Sequence, residues 1–392
     1  DTNGIGDFFY AVPTGFKALC TANLPDPAIT LPKEHFNTVA YTGNQTARTI
    51  DVGMQPDFTW IKTRNTASWH YLADAVRGFN TATNGSAKVL ASNDTHAEYA
   101  TQTTQLMSFV SNGFTLGDNS GASFFVNRNS HNYVSWNWKA GGTAPVKTYV
   151  VKVVSDSGNK YRFDDFAASA QTVDLQEGGT YTFDQSDSSN SGHPLRFSTT
   201  SNGSHGGGSE YTTGVTTYGS PGSSGAYTKI TVAASTATLY YYCTAHSGMG
   251  GQINTNSTHG SSYFDGAIKS TVSANQAAGF SIVTWTGDGS EGNTLAHGLG
   301  VVPELIIRKI KNAASSWATL TTVIDGSNDQ LYLNLTDAKS NLPTGYGSLT
   351  SSFMMNMEYT SSHNVVAYCF ASKPGFSKIG VYTSNDNADG PF

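Results

Sequence analysis

The sequence predicts an all-β protein: tandem β-sandwich-like domains, with two homologous repeats flanking a different sandwich. Three observations lead there. Runs such as Phe58-Thr-Trp-Ile-Lys62 and Leu305-Ile-Ile-Arg-Lys309 are short, rich in β-branched and aromatic residues, and bounded by Gly, Pro and Asn. Three segments recur in the same order in two parts of the chain. Helical periodicity is not sustained over 102–110, and one short helix is expected across the segments 315–325 and Leu335–Asn341.

The repeat is the main organising feature. Val52-Gly-Met-Gln-Pro-Asp-Phe-Thr-Trp-Ile-Lys62 aligns with Leu299-Gly-Val-Val-Pro-Glu-Leu-Ile-Ile-Arg-Lys309. Upstream, Val39-Ala-Tyr-Thr-Gly-Asn44 matches Val283-Thr-Trp-Thr-Gly-Asp288. Downstream, Ser130-His-Asn-Tyr-Val-Ser-Trp136 matches Ser362-His-Asn-Val-Val-Ala-Tyr368. The proline before each apolar run suits a strand start, where a missing N–H costs no ladder bond. His131 and His363 fall at the same repeat position, which favours a structural role for both, whereas His205 and His259 sit in Gly/Ser-rich loops and read as solvated.

These matches divide the chain. Residues 1–35 read as a linker or the end of a preceding domain, 36–145 as the first repeat copy, 146–265 as the inserted sandwich and 266–375 as the second copy. Residues 376–392 read as a truncated third copy, because Phe376-Ser-Lys-Ile-Gly-Val-Tyr-Thr-Ser-Asn385 echoes the segments that begin at Phe36 and Phe280. In the insert, Tyr149-Val-Val-Lys-Val-Val154, Thr180-Tyr-Thr-Phe183, Pro194-Leu-Arg-Phe197, Lys229-Ile-Thr-Val232 and Thr238-Leu-Tyr-Tyr-Tyr-Cys243 are closely spaced strands separated by turn residues.

Composition narrows the function. Only 13 % of residues are charged and the net charge is −6; a nucleic-acid partner would call for a basic stripe. No run of 18 apolar residues marks a membrane-spanning helix. Three scattered cysteines, Cys20, Cys243 and Cys369, make no disulfide framework. No nucleophile elbow, zincin helix or Walker loop is present, so no enzyme is expected. Low-charge, aromatic-rich β-domains suit self-association, with a homotrimer or polymer expected, and exposed Tyr or Trp would stack on host-surface glycans.

One stretch points to metal chemistry. Tyr-Tyr-Tyr-Cys-Thr-Ala-His-Ser-Gly-Met, ending at Met249, puts a thiolate, an imidazole and a thioether in a single turn-sized loop. A type-1 copper site needs one thiolate and two imidazoles near one plane, with a weak axial thioether. His193, in Ser-Gly-His-Pro-Leu-Arg-Phe just before a strand, supplies the second imidazole. The metal ligands expected are therefore His193, Cys243, His246 and Met249, and the cofactor expected is copper. Cys243, closing an apolar strand, also reads as an ordinary core thiol.

This arrangement resembles the cupredoxin family: a His before a strand, then an aromatic-Tyr-Cys strand leading into a Cys-x2-His-x2-Met loop. The repeated Tyr-Thr-Gly-Asn … Val-Gly-x-x-Pro-Asp-Phe … Val-Ser-Trp-Asn-Trp-Lys-Ala-Gly-Gly module resembles a domain in virion appendage proteins of marine tailed phages. The stretch from Gly4 to Pro25 resembles the end of a SPRY-like, lectin-type sandwich. Together the resemblances imply a tail-fibre or tail-spike component at the virion surface, joined to other virion proteins, that attaches to a host and carries a copper site. A secreted bacterial adhesin or filament subunit, and a copper electron carrier, remain alternatives.

Overall fold

The computed structural model describes residues 4–6, 8–18, 20–23, 27, 29–79, 85–99, 104–119, 125–256, 258–342, 349–358 and 360–385. Among them the regular structure is strand, with four short 3-10 turns and no α-helix. None contains a helix long and apolar enough to cross a membrane.

Two sets of strands repeat one plan. In the first, Phe36–Thr42, Asn132–Trp138, Phe58–Thr63 and Tyr71–Asp74 lie side by side in that order. In the second, Phe280–Thr286, Asn364–Phe370, Leu305–Ile310 and Ala318–Thr321 do the same. Register repeats as well: Trp138 pairs with both Phe36 and Phe58, and Phe370 pairs with both Phe280 and Leu305. The second set is widened to eight strands by Ser261–Tyr263 and Ser270–Asn275 on one side and Asp329–Tyr332 and Ser340–Asn341 on the other.

The shared motifs explain the shared geometry. The acid after each proline, Asp57 or Glu304, reaches across to the residues that follow the last strand of its copy. Asp57 accepts the Ala140 and Gly142 N–H groups at 2.7 and 3.2 Å, and Glu304 accepts the Ser372 N–H at 2.9 Å. Each Ser-His-Asn segment closes a turn: the carbonyls of His131 and His363 accept the Gly43 and Gly287 N–H groups, both at 2.8 Å. Their side chains diverge, His131 Nδ1 lying 3.1 Å from the Asn129 carbonyl and His363 Nδ1 2.8 Å from Glu358.

Each four-stranded core is covered on one face. Arg48–Asp51, Gly113–Leu116 and Leu106–Val110 form a three-stranded cover over the first copy, enclosing Ile50, Ile61, Tyr71, Leu106, Phe114 and Tyr133. Thr294–Ala296 and Phe353–Met355 form a two-stranded cover over the second. The opposite faces of the two copies pack on each other through Phe58, Leu72, Phe280, Trp317, Val366 and Tyr368. Buried charge joins that contact: Arg77 pairs with Asp74 and donates to Tyr368 Oη at 3.2 Å, while Tyr368 Oη donates to Asp74 at 2.7 Å.

The insert is a two-sheet sandwich. One sheet runs Val215–Tyr218, Tyr227–Thr231, Thr180–Asp184, Val146–Ser155, Asn159–Phe163; the other runs Val173–Gln176, Gly251–Asn256, Leu239–Cys243, Leu195–Ser198. Two of its pairings are parallel, that of Thr180–Asp184 with Val146–Ser155 and that of Val173–Gln176 with Gly251–Asn256. Its core is aromatic, with Tyr149, Phe163, Tyr181, Phe183, Phe197 and Tyr241 all buried.

One expectation fails locally. Residues 315–325 and Leu335–Asn341 hold strands Ala318–Thr321 and Ser340–Asn341, not a helix, because ladder partners in Leu305–Ile310 and Asp329–Tyr332 claim their backbone groups. Phe376–Asn385 forms no strand. In both copies the matching segment pairs with a strand lying much further along the same copy, Asn132–Trp138 or Asn364–Phe370. Phe376 instead packs edge-on against His35. The tail from 386 onward lies outside the described residues. Between Gly4 and His35 the described residues form two 3-10 turns, and Phe9 and Tyr10 are largely exposed.

Candidate metal centre

The site forms where two neighbouring strands of the insert meet. Leu195 is paired directly with Cys243, so the residues before one strand lie beside the residues after the other. The Thr244 N–H donates to the Pro194 carbonyl at 3.1 Å and extends this ladder. His193 therefore stands next to the loop that leaves Cys243.

Three further ties fix the backbone of His193. Its N–H donates to the Asn190 carbonyl at 2.8 Å, and its carbonyl accepts from Tyr161 Oη at 2.8 Å and Gln185 Nε2 at 2.9 Å. Asn190 closes the turn Ser188–Asn190 and donates to the Val151 carbonyl at 2.7 Å. The loop from Cys243 to Met249 is held as firmly. Asn202 donates to Ser247 Oγ and accepts the Gly248 N–H, both at 2.8 Å. Lys160 donates to the Gly248 carbonyl, and the Tyr161 N–H to the Met249 carbonyl at 2.9 Å. A Cβ on Gly250 would fall 1.7 Å from the Tyr241 carbonyl oxygen, so the chain leaving the loop has room only for glycine.

The result is a convergent donor set. One donor atom each from His193, Cys243 and His246 lies within 4.8 Å of the others. Cys243 Sγ is 3.9 Å from His193 Nδ1 and 3.7 Å from His246 Nδ1, and the two rings are 4.6 Å apart. Cys243 and Met249 are buried in the sandwich core, His193 is half-buried and His246 is exposed. The sulfurs thus face inward and the imidazoles outward. Burial lowers the His193 pKa, and the neighbouring His246 lowers it further, which favours the neutral, ligating imidazole. Burial raises the Tyr161 hydroxyl pKa, with Cys243 adding to the shift.

These residues fit a soft metal ion. Metal–sulfur and metal–nitrogen bonds of about 2.3 and ~2.0–2.1 Å, opened to roughly 120° in a trigonal plane, set sulfur and nitrogen ~3.7–3.8 Å apart. The observed separations match that spacing, and both imidazoles offer the same ring nitrogen to it. One thiolate with two imidazoles is a donor set suited to copper. Met249 enters the same buried cluster as Cys243 from the far end of the loop.

Sequence reasoning missed the support around this set. His205 is not simply solvated: its Nε2 lies 3.1 Å from the Cys243 carbonyl. His259 pairs through Nδ1 with the buried Asp57, tying the insert to the first copy. Both bonds join residues far apart in sequence, and neither has a local signal. Tyr161 carried one, as an aromatic residue in the short strand Asn159–Phe163 of the same sandwich.

The chain belongs to the family described as a domain of unknown function (DUF7483), whose model matches residues 31–162 and 253–392. The donor set falls in the stretch between these two matches. No curated protein and no solved structure matches the chain.

Proposed function

We propose that this chain is a structural and adhesive module of an extracellular appendage of the virion type, and that its middle sandwich holds a mononuclear, type-1-like copper ion. The metal half is carried by one observation: the Cys243 sulfur with two imidazole nitrogens at 3.9 and 3.7 Å, on a backbone tied down from both sides. His193, Cys243 and His246 hold the ion, and Met249 stands as the weak fourth donor. A bound ion would link the segment before one strand to the loop after its neighbour, which is a stabilising role. This chain's own residues prepare the site: Tyr161 and Gln185 set His193, while Asn202 and Lys160 set the loop.

The appendage half is supported by the architecture. Two homologous β-lobes packed back to back around buried aromatic rings make a stiff body. A surface low in charge depends little on ion pairs that salt would screen. Its partners would be further copies of itself, other virion proteins and host-surface glycans, at the virion surface.

The two halves are tested separately. Cu(II) added to the full chain should produce an intense visible thiolate-to-copper band and raise the melting temperature, and Cys243→Ser should abolish both effects. Equal melting of the two forms in copper would refute the metal half. Light scattering should show a homo-oligomer, and a stable monomer at every concentration would refute the self-associating appendage.

A further inference from the structure

The two copies differ on the core side of the shared sheet. Register aligns Ile61 with Arg308 and Tyr71 with Ala318. The Leu72–Leu90 bridge likewise aligns Val89 with Gln330 and Ala91 with Tyr332. In the first copy Ile61, Tyr71, Val89 and Ala91 are buried in one apolar core. In the second copy a cavity of about 490 Å³ opens at these positions, lined by Arg308, Ala318, Gln330, Tyr332, Glu358 and His363 among others. The first copy is roofed here by three strands, and the described residues of the second provide two. The volume lies in the range of small-molecule sites, about 300–1,000 Å³.

Polar groups in this cavity are ordered. Glu358, almost fully buried, pairs with Arg308 through one carboxylate oxygen and with His363 at 2.8 Å through the other. Gln330 Nε2 donates to Tyr332 Oη at 2.5 Å. Among the described residues the buried Nε of Arg308 has no hydrogen-bond partner. An arginine and a glutamate at core positions carry a desolvation cost that isoleucine does not. Packing alone would not select them, since the first copy packs the same sheet without them.

We propose that this cavity is a binding site for a neutral saccharide. A sugar offers paired hydroxyls that both donate and accept, which suits a guanidinium, a carboxylate and an amide set close together. The Tyr332 ring with Ile310, Leu335 and Met357 supplies an apolar wall for the C–H face of a pyranose. Glu291 and Asp337 also line the cavity, so an acidic sugar meets like charge. The proposal places the adhesive role in the second lobe, and it stands or falls apart from the copper site.

The test uses the full chain on an array of neutral and acidic oligosaccharides, followed by calorimetric titration of the best neutral ligand. Ala318→Tyr restores the residue of the first copy and fills the cavity; Gln330→Val also restores the first copy's residue and removes the amide without filling the space. Neutral glycans should bind, and each variant should weaken binding by about tenfold or more while keeping the copper band and the cooperative melt. If Ala318→Tyr fails to fold, Gln330→Val decides alone. No binding of neutral glycans, a preference for acidic ones, or wild-type affinity in a folded variant would overturn the proposal.

Discussion

Phe58 of the first lobe stacks on Tyr368 of the second, ring centroids 4.2 Å apart and planes 22° from parallel. Both side chains are fully buried, and the hydroxyl of Tyr368 continues into the Asp74–Arg77 pair. One aromatic contact therefore joins the apolar and the charged parts of the lobe interface. Phe58→Ala should destabilise the chain by about 3–5 kcal/mol in urea unfolding, the usual cost of emptying a buried phenylalanine site. Tyr368→Phe keeps the stack and removes the hydroxyl, so a smaller loss of ~1–3 kcal/mol is expected. Equal losses would mean that the ring contact contributes little.

Lys309 gives the interface a pH dependence. Its ammonium is buried and donates to the Thr95 carbonyl of the other lobe at 2.9 Å and to the Ser315 carbonyl at 2.6 Å. Burial pushes its pKa from 10.5 down to about 8. Between these values the unfolded chain holds a proton that the folded chain has released, so the Lys309 contribution to stability rises with pH across that window. Below about pH 8 both states are protonated and the desolvation cost is fully present. Thermal melts of wild type and Lys309→Met, compared from pH 7 to 10, should move in favour of the wild type as pH rises. A constant difference would contradict this reading.

Gly250 tests whether the metal loop is held by the sandwich. Alanine there would drive its Cβ into the Tyr241 carbonyl, and the loop ending at Met249 would have to move. Gly250→Ala should cost about 2 kcal/mol or more and weaken copper binding, although it removes no ligand. Unchanged copper affinity would show that the donor set tolerates loop displacement.

Much of this was legible in the sequence because it is local or repeated. The Pro-Asp and Pro-Glu motifs marked two equivalent strands, and the Asp57 and Glu304 clasps explain why an acid follows each proline. His193, Cys243 and His246 were legible because a strand end and a loop carry them at short spacing. The back-to-back packing of the lobes was not, since Phe58 and Tyr368 look like any other strand aromatics. The polar cavity has a trace in the sequence: Arg308 aligns with Ile61 inside the repeated Pro-Asp/Pro-Glu segment. A charge at an apolar repeat position is a local conflict, and such conflicts are where function is expected.

Copper-edge X-ray absorption on the full chain loaded with one equivalent of Cu(II) tests the central claim most directly. The predicted spectrum has one sulfur near about 2.2–2.3 Å and two imidazole nitrogens near ~2.0–2.1 Å, and Cys243→Ser loses the sulfur shell. A first shell of oxygen and nitrogen alone, or the same spectrum from Cys243→Ser, would contradict the assignment of His193, Cys243 and His246 as a copper site.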